Sequence, residues 1–130
     1  IMQTQRFNDP HALEQTLARQ VEQFYRSQLG HQPDQVTCCF LRGKELVVTV
    51  ENALTQPEQL LIASGYWELA GEVRISLNQI LKPRIKAMIE EVTQETVLDL
   101  LSDIQPKTSR TSLIAIFNVN HKTAISNSSQ

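Results

Sequence analysis

Several features that would assign a biochemical class are missing from this chain of 130 residues. It has no excess of positive charge, with 12 lysines and arginines against 14 aspartates and glutamates, so a dedicated nucleic-acid binder is disfavoured. No apolar run reaches the roughly 18–20 residues that a membrane-spanning helix requires. The four glycines form neither a phosphate-binding loop nor a dinucleotide fingerprint.

Cysteine and histidine are also scarce. Cys38 and Cys39 are sequence neighbours, and adjacent side chains of a strand point to opposite faces, so a disulfide between them is not expected. Two reduced thiols in an apolar stretch fit a cytoplasmic protein. His11, His31 and His121 lack the spacing of a metal site and are expected to be exposed, so we predict no metal and no cofactor.

The spacing of the apolar residues predicts three helices and four strands. Their order, α-β-β-α-α-β-β, predicts an α+β fold in which the helices pack on a four-stranded, mainly antiparallel sheet. Residues 10–120 are expected to form one domain, with a disordered segment at 1–9 and a flexible tail at 121–130. The helices are expected at Pro10–Leu29, at Gln56 to about Ala63 and at Tyr66 to about Val92, and the strands at Val36–Leu41, Leu46–Glu51, Val97–Ile104 and Thr111–Val119.

Local signals mark where the helices begin and end. Asp9 is suited to cap the first helix, and Gly30 can adopt the left-handed conformation that ends it. Thr55 and Glu58 form the pattern of a capping box at the start of the second helix. Pro83 lies inside the third helix, where we expect it to kink the helix without breaking it.

The last strand is apolar on both faces. Leu113 and Phe117 share one face, while Ile114 and Ile116 lie on the other, as in a sheet that is covered on both sides. Leu41, Val47 and Leu101 extend this second face. We therefore predict a homodimer, or the binding of another protein, through these five residues; the alternative is that the first helix covers the same face.

The third helix carries positive charge at Arg74, Lys82 and Lys86, which fall near one helical face. This strip is a candidate contact for an acidic protein surface or for lipid head groups. Its alternative interpretation is an ordinary solvated helix face, because nearby glutamates weaken its field.

Ser102, Asp103, Lys107 and Thr108 form the densest group of reactive side chains. They predict a possible ligand site, or an enzyme in which Ser102, Asp103 and Lys107 act in a pocket. No histidine or glycine-rich loop accompanies them, and the competing interpretation is that Asp103 and Thr108 hydrogen-bond the backbone of the loop. Binding of RNA on the sheet is a weaker hypothesis, because Phe40 and Phe117 are its only aromatic candidates and both are expected to be buried.

The chain from about Leu29 to Phe117 resembles the MpsC family, which is named after a sodium-translocating, membrane-potential-generating system. The matching segments are Gly30 with Pro33, 54–61 around the capping box, 81–83, 89–93, and Leu101-Ser102-Asp103-Ile104 with Lys107 and Thr108. The resemblance implies a small cytoplasmic accessory protein, linked to a membrane system for cation or inorganic-carbon transport. It supplies no catalytic residues. Our first interpretation is a non-enzymatic accessory or regulatory subunit that acts by protein docking.

Two positions depart from the family pattern. The family typically has a glycine after the long helix, where this chain has Gln94 and Glu95. It also tends to have Thr-Gly-Glu in the final loop, where Ser109, Arg110 and Thr111 stand here. A tight turn is therefore less strongly encoded at both positions.

Overall fold

A computed structural model of the protein describes residues 9–118, which form three helices and four strands. Their order is the one that the sequence predicts, and most boundaries agree within one or two residues. The helices are α1 (Pro10–Leu29), α2 (Gln56–Ala63) and α3 (Trp67–Thr93); the strands are β1 (Gln35–Leu41), β2 (Glu45–Glu51), β3 (Val97–Gln105) and β4 (Arg110–Phe117). No helix within residues 9–118 is long and apolar enough to cross a bilayer.

The predicted caps form as hydrogen-bonded structures. The carboxylate of Asp9 accepts the N–H of Ala12 at the start of α1, and Gly30 ends that helix at φ 60°. Thr55 and Glu58 bond each other's backbone N–H groups at the start of α2. Helix α3 continues through Pro83 without a break.

The sheet has the strand order β1-β2-β4-β3, and all three pairings are antiparallel. Strands β1 and β3 are therefore its two edges. The hydrophobic core lies between one face of the sheet, called here the inner face, and the helices α1 and α3. Its fully buried side chains include Leu17, Val21, Leu46, Val48, Val50, Ile89 and Val97.

Three details differ from the sequence-based expectations or refine them. The buried stripe of α1 consists of Leu13, Leu17, Val21 and Tyr25, and its last member, Tyr25, lies close to Arg74 of α3. His31 was expected to be exposed, but it is buried, and its Nε2 lies 2.7 Å from the carbonyl oxygen of Asn52. Cys38 is buried and Cys39 is exposed, and both thiols are free, as the strand alternation predicts.

One of the two departures from the family pattern falls at a left-handed backbone position. Gln94 ends α3 at φ 59°, a region of φ that glycine enters without the steric cost that a Cβ imposes, which explains a preference for glycine there. In the turn between β3 and β4 the left-handed residue is Ser109, at φ 57°, and not Arg110, which stands where the family has glycine. The predictions for 1–8, for Val119 as the end of the last strand, for His121 and for the tail at 121–130 lie outside the described residues.

Candidate functional site

The face of the sheet opposite α1 and α3, called here the outer face, carries an apolar row across all four strands. Strand register places Cys39 beside Val47, Val47 beside Ile114, and Ile114 beside Leu101. Leu41 and Ile116 lie in the adjacent row, separated by Glu45. All five residues that the sequence indicated for partner binding on the sheet therefore share one surface.

The outer face is open to solvent in the described part of the chain. Leu101 is 53% exposed and Leu41 44%, while Val47, Ile114 and Ile116 are half-buried by their sheet neighbours. The buried stripe of α1 belongs to the core on the inner face, so the alternative in which α1 covers the outer face does not occur.

Polar rows border the apolar row toward one end of the sheet. Thr37, Thr49, Ser112 and Asp103 form the next row, and the end row contains Glu51 and Arg110, joined by an ion pair of 2.9 Å between Arg110 Nε and Glu51 Oε1. The outer face is thus an apolar band with a polar margin. This distribution resembles a protein–protein contact surface, with an apolar centre and a polar rim.

Arg74 does not belong to an exposed basic strip. Its guanidinium forms two hydrogen bonds with the carboxylate of Glu58, from Nε to Oε2 at 2.7 Å and from Nη2 to Oε1 at 2.6 Å. The two side chains are 8% and 1% exposed. Arg74 therefore ties α3 to the start of α2, where Glu58 also caps the helix, and it is not available to a partner.

This ion pair extends to α1 and to the chain after β2. Nη2 of Arg74 also donates to the carbonyl oxygen of Ala53 at 3.4 Å. Burial raises the pKa of the nearby Tyr25 hydroxyl, against an opposing effect of Arg74. The resulting polar cluster of Tyr25, Glu58 and Arg74 joins all three helices.

The other two members of the predicted basic strip remain accessible to solvent. Lys82 is half-buried and Lys86 is exposed, and neither forms an ion pair with a residue of the described range 9–118. With Arg74 withdrawn into the interior, only these two lysines remain of the strip.

Ser102 and Asp103 line a cleft between β3 and the first half of α3. The cleft encloses about 350 Å³, and the half-buried Asn78 and the paired Arg74 also line it. Its walls are otherwise mostly apolar: Leu54, Ile62, Trp67, Ala70, Ile75, Ile104 and Pro106. This volume is near the lower end of the range for ligand pockets, so the cleft has room for a small group or a side chain.

Lys107 and Thr108 do not line the cleft. Both are exposed in the turn after β3, where Thr108 Oγ1 donates to the carbonyl oxygen of Gln105 at 3.4 Å. The carboxylate of Asp103 accepts the N–H of Ile104 at 2.8 Å. Asp103 and Thr108 thus make the hydrogen bonds to the loop backbone that the sequence analysis gave as the alternative to a ligand site. Lys107, which the enzymatic hypothesis requires beside Ser102, is not part of the cleft.

Other candidate chemistry finds little support in the described residues. Phe40 and Phe117 lie on the inner face with their ring centroids 6.2 Å apart, so they offer no stacking surface for RNA. Within residues 9–118, no group of three or more histidine, cysteine, aspartate or glutamate side chains could hold a metal ion.

Sequence reasoning missed the role of Glu58 and Arg74 as buried partners. The capping box already accounts for Glu58 in the sequence, so no further partner was sought for its carboxylate. No local sequence pattern predicts that Arg74 is buried. The one available signal was position, because Arg74 stands four residues after Ala70 on the helical row that continues through Leu81 and Ile85 into the core.

The chain was compared with models of known protein families. The model described as "Na+-translocating membrane potential-generating system (MpsC)" matches residues 10–119. It covers all seven elements of the fold. No curated protein and no solved structure matches this chain significantly.

Proposed function

The chain belongs to the MpsC family, and on this basis we propose that it is a non-enzymatic, cytoplasmic accessory or regulatory subunit that acts by protein docking and is linked to a membrane system for cation or inorganic-carbon transport. The single observation that supports docking is the apolar row of the outer face, from Cys39 through Val47 and Ile114 to Leu101. Such a surface loses free energy when another protein removes it from water.

We propose a second copy of the same chain as the occupant of this face. Two sheets pack face to face about 10 Å apart, so the apolar rows of two copies can interdigitate about a two-fold axis. Burial of three or four such side chains contributes roughly 5–8 kcal/mol before the cost of association. In a two-fold dimer each copy buries this set, so the gross contribution is about 10–16 kcal/mol. A dimer at micromolar concentration requires that about 8 kcal/mol of it remain after the cost of association.

The charges of the outer face favour a protein over a lipid surface. Arg110 is neutralised by Glu51, and Glu45, Asp99 and Asp103 lie around the apolar row. Anionic lipids require clustered lysines or arginines, which the outer face of the described chain does not carry.

Sedimentation equilibrium of the full chain tests the dimer. The wild type is expected to be dimeric at micromolar concentration, and Leu101→Glu is expected to weaken the dimer by about tenfold or more because it buries an unpaired charge. Leu60→Glu is the matched control, since Leu60 is 68% exposed on α2, a helix that packs on α3. A monomer at all accessible concentrations, or a dimer insensitive to Leu101→Glu, overturns the proposal.

Alkylation of Cys39 provides an independent measurement of the same contact. Its thiol is exposed in the free chain and belongs to the apolar row. If the dimer forms through this face, the alkylation rate falls as protein concentration rises through the dissociation constant. A rate that does not depend on concentration, in a chain that is dimeric by sedimentation, would place the dimer contact elsewhere.

A further inference from the structure

The two edges of the sheet are protected differently. At the β1 edge, the carboxylate of Glu14 on α1 accepts the outward N–H of Phe40 at 2.7 Å. A covered edge of this kind cannot add another strand. At the opposite edge, no such contact from a helix reaches the middle of β3 in the described structure.

Hydrogen-bond alternation shows which backbone groups of β3 face outward. The N–H of Phe117 donates to Lys44 in the direction of β2, so the N–H of its neighbour Asn118 points to β3, where it donates to Thr96. Alternate residues of β4 therefore bond β3, and in β3 the bonded positions are Asp99, Leu101 and Asp103. The N–H and C=O groups of Leu100 and Ser102 point away from the sheet.

These outward groups have no hydrogen-bond partner among residues 9–118. The open segment is bounded on both sides. At one end of the open segment, a register shift between Val97 and Asp99 interrupts the regular pairing of β3 with β4. At the other end, the N–H of Ile104 donates to the carboxylate of Asp103 and is not free to pair with another strand. The edge therefore offers a short segment around Leu100 and Ser102, called here the template, with which another strand can pair. Because the segment is short, it promotes nonspecific aggregation less than a long open edge would.

The cleft of about 350 Å³ lies directly beside this template. Ser102 and Ile104, whose side chains lie on the inner face of β3, line it from the sheet, and Trp67 and Ile75 line it from α3. Ile75 is 60% exposed and Trp67 50%, so both retain apolar surface for an incoming side chain. A strand that paired with β3 would place alternate side chains in this cleft.

The other side of the same strand carries negative charge. Asp99 and Asp103 flank Leu101 on the outer face, and both are exposed. Neither forms an ion pair with any lysine, arginine or histidine of the described chain. Opposite charges on neighbouring strands stabilise pairing, so a basic side chain is favoured beside each aspartate.

We propose that β3 binds an extended peptide segment of a partner protein as a fifth strand of the sheet. The segment has apolar side chains on the face toward the cleft and lysine or arginine on the face toward Asp99 and Asp103. Backbone hydrogen bonds to Leu100 and Ser102 supply affinity, and the cleft and the two carboxylates supply specificity. The backbone edge of β3 and the cleft lie outside the apolar row of the outer face, so strand pairing at this edge does not require the dimer.

Binding of a short blocked peptide that alternates leucine and lysine, followed by fluorescence polarisation with the full chain, tests the proposal. N-methylation of alternate peptide nitrogens, on the edge that would face β3, is expected to weaken binding by about tenfold or more, because it removes the backbone donors. Methylation on the opposite edge leaves those donors intact and serves as the peptide control.

Ser102→Pro removes one outward N–H from the protein side. Proline is accepted on edge strands where its nitrogen faces solvent, so the fold is expected to persist while peptide binding is lost. If this variant does not fold, the methylated peptides test the same hydrogen bonds from the other side. Ile75→Asp tests the cleft wall, where a carboxylate opposes apolar side chains.

Charge reversal distinguishes recognition from general adhesion. Asp99→Lys is expected to weaken binding of the leucine–lysine peptide and to strengthen binding of a leucine–glutamate peptide. Glu91→Lys makes the same charge change at an exposed position on α3 and is expected to alter neither. Three results overturn the proposal: binding that is insensitive to N-methylation, equal effects of the two lysine variants, and no binding at millimolar peptide. Displacement of the bound peptide by indole alone also overturns it, because the cleft would then be a small-molecule site.

Discussion

Arg74 and Glu58, sixteen positions apart in the chain, form a buried ion pair with two hydrogen bonds of 2.6 and 2.7 Å. Glu58 also accepts hydrogen bonds from the N–H and the hydroxyl of Thr55. Each carboxylate oxygen is thereby satisfied, which is the condition under which a buried charge can be accommodated. The pair joins α2 to α3, and both helices contribute residues to the wall of the cleft.

Breaking this pair from one side is expected to destabilise the fold strongly. Arg74→Met leaves the Glu58 carboxylate buried without its partner and should lower the free energy of unfolding by about 3–5 kcal/mol. Chemical denaturation followed by circular dichroism measures this change. Lys86→Met, at an exposed position of the same helix, should change it by less than about 0.5 kcal/mol.

The double variant Arg74→Met/Glu58→Gln is expected to recover much of that loss. The amide of glutamine is uncharged and its oxygen can still accept the N–H of Thr55, so no isolated charge remains in the interior. A double variant no more stable than Arg74→Met would show that packing of the arginine, and not charge pairing, sets the cost.

The two cysteines should differ in reactivity toward a thiol reagent. Burial raises the pKa of the Cys38 thiol from 9.0 to about 12, with a smaller contribution from Glu14, so near pH 8 almost no thiolate forms there. Cys39 is exposed. A disulfide reagent at pH 8 should therefore modify Cys39 in the native protein and both thiols in denaturant; rapid native modification of Cys39→Ser would contradict this.

The same thiol predicts a loss of stability in alkali. Because the folded-state pKa of Cys38 lies above its unfolded value of 9.0, its contribution is complete below pH 9 and is lost as the pH rises toward about 12. Unfolding free energy should fall by about 1 kcal/mol between pH 9 and 10. The fall should be smaller in Cys38→Ala, measured by denaturation at each pH; Tyr25, whose usual pKa is 10.0, contributes mainly above this interval.

Glycine at the end of α3 should stabilise the protein. Gln94 holds φ 59°, a conformation that costs a side-chain-bearing residue roughly 1 kcal/mol relative to glycine, so Gln94→Gly should raise the melting temperature. Gln79→Gly, the same substitution at an exposed position inside α3, should lower it, because glycine weakens a helix interior by about 1 kcal/mol. Equal signs in the two variants would contradict the assignment of strain to Gln94.

Local patterns predicted the elements because their causes are local. The bounds of α1 follow from Asp9, Pro10 and Gly30, and the alternation of Leu46, Val48 and Val50 identifies the inner face of β2. The same alternation placed Ile114 and Leu101 on one outer surface. His31 escaped prediction because its burial depends on a carbonyl group of Asn52, twenty-one residues away.

The sequence by itself determined where each helix and strand begins, and which side chains turn to the same face, because periodicity and capping act within a few residues. Only the tertiary structure decided that β4 lies between β2 and β3, and that Arg74 turns inward to Glu58. Both outcomes depend on contacts between distant parts of the chain, whose free energies no local pattern contains. The strand order leaves β3 at the edge of the sheet, and the inward position of Arg74 joins α2 to α3 beside that edge, where the cleft lies.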